Sequence, residues 1–120
     1  MKTTIRKDLV KILTKHNIPL RQIQAATYEK FSLSGKPIEI INLYPGHTDS
    51  EFDKWLSKME LIEYTGRFSN DFQSTIWLKG NIWITREEDK DGYFGWWEVH
   101  KRPPLPRETK SIKVTNPNQL

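Results

Sequence analysis

"TIWLKGNIWITRE", residues 75–87, decides the fold. β-branched and aromatic residues alternate with one another on either side of Lys79-Gly80-Asn81. Period-two alternation places Ile76 and Leu78 on one side of a strand and Trp77 on the other. Ile82 and Ile84 alternate with Trp83 in the same manner. Gly80 accepts the positive φ of a tight hairpin turn, and Asn81 tolerates it better than most side chains. The stretch predicts two antiparallel strands with large apolar groups on both faces.

Downstream, "YFGWWEVH" (93–100) reads as another strand. Its neighbours Trp96 and Trp97 must point to opposite faces. Upstream, "LIEYTG" (61–66) reads as a further short one, and together these segments predict an antiparallel meander of three or four strands. "REEDKDG" (86–92) joins two of them; its acids lack the alternating spacing of a calcium loop and read as solvated.

The N-terminal half has helical spacing. Ile5, Leu9, Ile12 and Leu13 form a stripe, with Thr3 or Thr4 able to cap it and Asn17-Ile18-Pro19 ending it. Leu20, Ile23, Thr27 and Phe31 predict a second helix over 19–35, with Pro19 in its first turn and Gly35 as its stop. Ile38, Ile40, Ile41, Leu43 and Tyr44 suggest a short extended segment, turned by Pro45-Gly46. Thr48-Asp49-Ser50-Glu51 has the form of a capping box, followed by a helical stripe of Phe52, Trp55, Leu56 and Met59. The expected architecture is α+β: N-terminal helices packed on one face of the meander.

The 120 residues fit a single domain, taken as 1–106, with 107–120 as a basic polar tail. "PPLP" within 103–106 favours polyproline conformation and can dock on aromatic surfaces, including this chain's own tryptophans. No Cys is present, so disulfides, thiolate metal sites and Cys nucleophiles are excluded. The N-terminus has no apolar signal segment and no run is long enough to span a bilayer, which predicts a cytoplasmic protein. The net charge of +4 conceals segregation: residues 1–36 carry +6, residues 37–100 carry −6 and residues 101–120 carry +4. A basic surface of this kind can meet nucleic acid, or can simply attract the acidic middle of the same chain.

"TIWLKGNIWITREEDKDGYFGWWEVHKRPPLP" resembles a motif of small bacteriophage and prophage proteins, an Ile-Trp strand, Asp-Gly-Thr-Trp, Arg-x-Glu, "YDGSEWWE" and a Pro-x-x-Pro end. Trp77 and Trp83 keep the Trp-to-Trp spacing. Arg86 and Glu88 match Arg-x-Glu, Asp91-Gly92 and Trp96-Trp97-Glu98 match the next segment, and Pro103 and Pro106 match the last. "KGNI" replaces the Asp-Gly-Thr turn, and extra residues lie between Glu88 and Trp96. The resemblance covers about a quarter of the chain. It implies a phage-type accessory protein acting in the cytoplasm of a host cell, and no reaction.

With helices covering one face, the other face is expected to present Trp side chains, the residue type most often found as a binding anchor. The functional expectation is a non-enzymatic protein that binds a host protein, as a monomer or homodimer. It would thereby inhibit host defence in an anti-defence or anti-CRISPR-like manner. The expected contact residues are Trp77, Trp83, Trp96, Trp97 and Tyr93, rimmed by Glu87, Glu88 and Asp91. The alternative is nucleic-acid binding through Lys7, Lys11, Lys15 and Arg21 with the basic tail. No phosphate-cradling Gly loop, His-Glu-x-x-His or nucleophile elbow is present, and no cofactor or metal is expected. The best acid–base constellation is His47 with Asp49 and Asp53, joined in space by His100.

Overall fold

The computed structural model describes residues 3–32, 34–64, 72–88 and 95–103. The expectations for Asp91, Tyr93 and the 107–120 tail lie outside these residues, as does that for the Glu88 side chain.

Thr4 starts α1 (Ile5–Lys15), its hydroxyl accepting from the Lys7 backbone N–H at 3.1 Å. Ile5, Leu9 and Leu13 are buried; Lys7, Lys11 and Lys15 are exposed on the other side. Asn17 ends the helix at φ 56°. The Ile18 N–H bonds the Leu13 carbonyl and the Asn17 N–H bonds that of Thr14, a left-handed cap in which Asn stands where Gly is commoner. The second capping signal is also realised. Thr48 and Glu51 exchange side-chain-to-backbone bonds at 2.9 and 3.2 Å, and α2 (Asp49–Leu61) buries Phe52, Trp55, Leu56 and Met59. Hydrogen bonds from Thr48 hold the Glu51 carboxyl below its ordinary range.

The second expected helix is a strand. Pro19 introduces only a three-residue 3₁₀ turn (Leu20–Gln22), and the chain then extends as β2 (Ile23–Phe31). β2 pairs antiparallel with β3 (Pro37–Leu43) on one side and with β5 (Phe72–Leu78) on the other. The misreading has a physical cause. Ile23 lies opposite Leu78 while Ala25 lies opposite Trp77, so Gln24 is an extra residue in a β-bulge. The bulge puts Ile23, Ala26 and Tyr28 on one face, at spacings of three and two. Of the expected helical stripe, Ile23 therefore faces the core while Thr27 lies on the other side of the sheet, so the helical spacing did not mark one face.

The main sheet therefore has five strands in the order β3-β2-β5-β6-β7, all neighbours antiparallel, where β6 is Trp83–Glu88 and β7 is Gly95–His100. The β5–β6 hairpin turns as expected, with Gly80 at φ 76° and Asn81 at φ 59° and a bond from the Leu78 N–H to the Ile82 carbonyl. "LIEYTG" does not join the meander. Only Glu63–Tyr64 (β4) is a strand there among the described residues, and it pairs with the two-residue β1 (Thr3–Thr4) in a separate small sheet. The fold is α+β, with one helix rather than two before β2.

Buried residues of both helices share one core with the main sheet. One core unites Ile5, Leu9, Leu13, Phe52, Trp55, Leu56 and Met59 with strand residues Ala26, Tyr28, Leu43, Phe72, Ile76, Leu78 and Ile84. Ala25, Trp77 and Trp83 form a separate cluster on the opposite face. Among the described residues no helix is long and apolar enough to cross a membrane.

Candidate functional site

Cross-strand register places the candidate residues, because side chains directly opposite one another share a face. On the face turned away from the helices they fall into rows. One row runs Ala25, Trp77, Trp83, His100. The next spans all five strands as Asn42, Thr27, Thr75, Thr85, Glu98. Beyond it lie Ile40, Glu29 and Gln73 at one edge and Glu87 with Trp96 at the other.

The tryptophans of this face differ in exposure. Trp77 is 9 % exposed and Trp83 3 %, whereas Trp96 is 44 % exposed. The end of β7 and the residues just beyond it cover Trp83. The His100 ring stacks on it with centroids 4.1 Å apart, the Arg102 guanidinium lies 5.3 Å over it, and its Nε1–H donates to the Arg102 carbonyl at 2.8 Å. Trp77 and Trp83 are therefore the buried part of this face and Trp96 the accessible part. Two further apolar groups are exposed on the edge strand β3: Ile38 at 60 % and Ile40 at 54 %. Period two sets Ile40 on the face of Asn42, away from the helices, whereas Ile38 is the extra residue of a bulge between Pro37 and Glu39.

Trp97 belongs to the helix side. It lies opposite Arg86, whose guanidinium sits over the rings of Tyr64 (4.7 Å), Phe72 (5.4 Å) and Trp97 (5.5 Å). The Trp97 Nε1–H donates to the Tyr64 hydroxyl at 2.6 Å, and that hydroxyl donates to the Asp8 carboxylate. Burial first, and the Asp8 carboxylate second, push the Tyr64 phenol well above its ordinary value. Gly95 makes room for this arrangement: a Cβ there would lie 2.9 Å from Arg86 Cζ and closer still to Nη2. Arg86 thus forms a cation enclosed by Tyr64, Phe72 and Trp97 at the edge of the core.

His47, Asp49 and Asp53 do not converge as an acid–base site. The Arg21 guanidinium spans the two acids, at 3.0 Å from Asp49 and 3.4 Å from Asp53, and lies 5.1 Å over Phe52. His47 donates Nδ1–H to the Tyr44 carbonyl at 2.9 Å and stacks on Phe52. His100 is on β7, away from this group. Arg21 is consequently held by acids and does not extend the exposed lysine stripe of α1.

A cluster that sequence reasoning missed surrounds Thr85. Ligating atoms of Glu87, Glu98 and His100 all lie within 4.8 Å of one another. The Thr85 hydroxyl donates to Glu87 at 2.6 Å, so at 2.9 Å from His100 Nε2 it must act as acceptor, and Nε2 carries the proton. These residues could hold a divalent cation only after that proton leaves. Alternation along β6 and β7 was the available signal, since Thr85 and Glu87, and likewise Glu98 and His100, share a face.

A concavity lies at the end of the sheet beside the bulge. It has a volume of about 450 Å³ and is bounded by Arg21 and Ile23–Ala25, by the Pro45–His47 turn, and by Trp77 and Lys79. Comparison of the chain with protein-family models, curated proteins and solved structures gives no match.

Proposed function

We propose that this is a non-enzymatic binding protein of the phage accessory type, which docks on a host protein through the sheet face opposite the helices. The reading rests above all on one observation. Two large apolar side chains, Ile40 and Trp96, stand exposed on that face, at its two edge strands. Between them runs the row of hydroxyl and amide side chains from Asn42 to Glu98, which supplies the polar contacts a protein interface needs around its anchors. The resemblance of residues 75–106 to small phage and prophage proteins supports the biological setting, and inhibition of a host defence system is the role that setting suggests. Among the expected contacts, Trp96 and Glu87 serve directly, while Trp77 and Trp83 hold the face in shape. An exposed Trp anchor at the centre of a contact is worth about 2 kcal/mol or more, or roughly thirtyfold in affinity.

The test compares capture from host lysate by the intact protein and by an Ile40→Ser/Trp96→Ala variant, with the mass of the free form measured in solution. The same host protein should be retained by the first and lost by the second at equal melting temperature. Undiminished capture by the variant would remove the face from the interface.

Nucleic-acid binding is a second reading, favoured by Lys7, Lys11 and Lys15 standing exposed at four-residue intervals on α1. It requires binding to random-sequence DNA or RNA that weakens steeply with salt. Absence of binding at about 50 mM salt, where phosphate contacts are strong, excludes it.

A further inference from the structure

The β6–β7 pair brings an imidazole and two carboxylates to one place. Trp83 lies opposite His100, Thr85 opposite Glu98 and Glu87 opposite Trp96. Glu98 and His100 therefore share a face of β7 at a spacing of two, and Glu87 sits diagonally across from Glu98 on the same face. Ligating atoms of the three residues lie within 4.8 Å of one another, and His100 Nε2 is 3.8 Å from a Glu98 carboxylate oxygen.

These separations suit a metal ion. Donors held at about 2.0–2.2 Å from one zinc-sized ion lie at most about 4.4 Å apart. The Glu98–His100 pair already meets that limit, and no other pair needs to close by more than about 0.4 Å. The Glu98 side chain is half exposed and can turn to do so.

Two features separate this group from a chance gathering of surface acids. The first is His100. Its side chain is 14 % exposed, its ring stacks on Trp83, and its Nε2 lies 2.9 Å from the Thr85 hydroxyl. Packing on one side and a hydrogen bond on the other fix the ring with Nε2 turned toward the carboxylates, the kind of support by which proteins orient a metal-binding imidazole. The second is charge. Glu87 and Glu98 set two negative charges close together, and neither pairs with a Lys or Arg among the described residues. Like charges on neighbouring strands repel, and a divalent cation balances both.

We infer that Glu87, Glu98 and His100 form a binding site for a first-row divalent metal ion of the zinc type, on the sheet face turned away from the helices. Binding moves the ring proton from Nε2 to Nδ1, which frees the Nε2 lone pair for the ion. The mixed nitrogen and oxygen set favours such an ion over Mg²⁺ and Ca²⁺, which take oxygen ligands. Three protein ligands leave the ion a further position for water. The site adjoins the proposed interface, but its test needs no partner.

Calorimetric titration of the full chain with zinc chloride should show one saturable site. Mg²⁺ should bind at least about tenfold more weakly, because it gains little from an imidazole. Glu98→Gln exchanges an exposed carboxylate for an amide of the same shape. It should keep the wild-type melting temperature and lose at least about tenfold in Zn²⁺ affinity, the scale of changes around a bound metal. His100→Phe keeps a ring against Trp83, removes Nε2 and should lose at least as much. His47→Gln, at the other histidine flanked by acids, should bind Zn²⁺ as the wild type does. Absence of saturable Zn²⁺ binding would overturn the inference, as would unchanged affinity in Glu98→Gln or His100→Phe. Mg²⁺ binding as tightly as Zn²⁺ would reduce the group to an acidic patch, and loss of Zn²⁺ binding in His47→Gln would move the ion to the start of α2; either result also overturns it.

Discussion

The two faces of the five-stranded sheet are built from the same alternating strands and finished differently. The helix side is filled with aliphatic and aromatic carbon: Ile76 and Ile84 are wholly buried in the core that they share with residues of α1 and α2. The other side carries threonines, glutamates and indoles, and is covered at Trp83 by a histidine and an arginine at the end of β7 and just past it. Burial on the first side follows from the hydrophobic effect acting on any apolar stripe. Burial on the second depends on particular hydrogen bonds and stacking. It leaves the Asn42 amide oxygen and the Trp77 indole N–H without partners among the described residues, as is the Trp55 indole on α2.

The sharpest way to break this contrast is to truncate adjacent residues on opposite faces of β5. Ile76→Ala should cost about 2–5 kcal/mol in urea unfolding, from lost transfer energy plus a cavity. Thr75→Ala, in the middle of the hydroxyl row, should cost about 1 kcal/mol or less. Similar losses would mean that the outer row is as tightly packed as the core.

That contrast also separates what was legible in the chain from what was not. The hairpin of 75–87 could be read because both its signals are local: period-two alternation, and Gly80-Asn81 at the turn. The two helices could be read because Thr4 and Thr48 cap them next to clean apolar stripes. β2 could not, because its evidence is its neighbours. Pairing on both sides overrode a pattern that the Gln24 bulge had shifted, and the meander became five strands instead of three or four. The tryptophans were legible as to face and not as to exposure. Trp83 is hidden by His100 and Arg102, distant in sequence, and Trp97 is committed to Arg86 and Tyr64. Surplus indole in the sequence proved to be largely indole with structural partners, leaving Trp96 accessible.

The Arg86 enclosure sharpens the comparison at the boundary between the faces. Gly95→Ala forces the guanidinium away from rings that hold it on three sides, and should cost about 1–3 kcal/mol. Arg86→Met removes the group that the new methyl meets. The double variant should therefore lose less than the sum of the single changes, a coupling of at least about 0.5 kcal/mol in a double-mutant cycle. Strict additivity would mean that Gly95 is not kept small for Arg86.

Tyr64 gives the helix side a dependence on pH. Its phenol is raised in the folded protein relative to an unfolded-state value near 10, so the folded state binds the proton more tightly. Its contribution is complete below about pH 10 and declines as the pH rises above that value, because the unfolded chain then gains from ionisation first. The melting temperature should fall more steeply above about pH 10 in the wild type than in Tyr64→Phe. Parallel curves for the two proteins would show that the phenol ionises freely in the fold.

The smallest expected effect distinguishes neighbours in sequence. Trp96 and Trp97 are adjacent, identical in chemistry and on opposite faces. Trp97→Ala removes a ring from the Arg86 enclosure and a donor from the Tyr64 hydroxyl, and belongs with the core losses of about 3 kcal/mol or more. Trp96→Ala deletes a ring that is 44 % exposed and for which β7, as an edge strand, has only β6 alongside among the described strands. It should change stability by about 0.5 kcal/mol, as surface substitutions do. That small loss would leave Trp96 free to act as the anchor of the proposed interface. If Trp96→Ala instead destabilised the protein as much as Trp97→Ala, the ring would be structural. The proposed interface would then be reduced to Ile40 at the opposite edge.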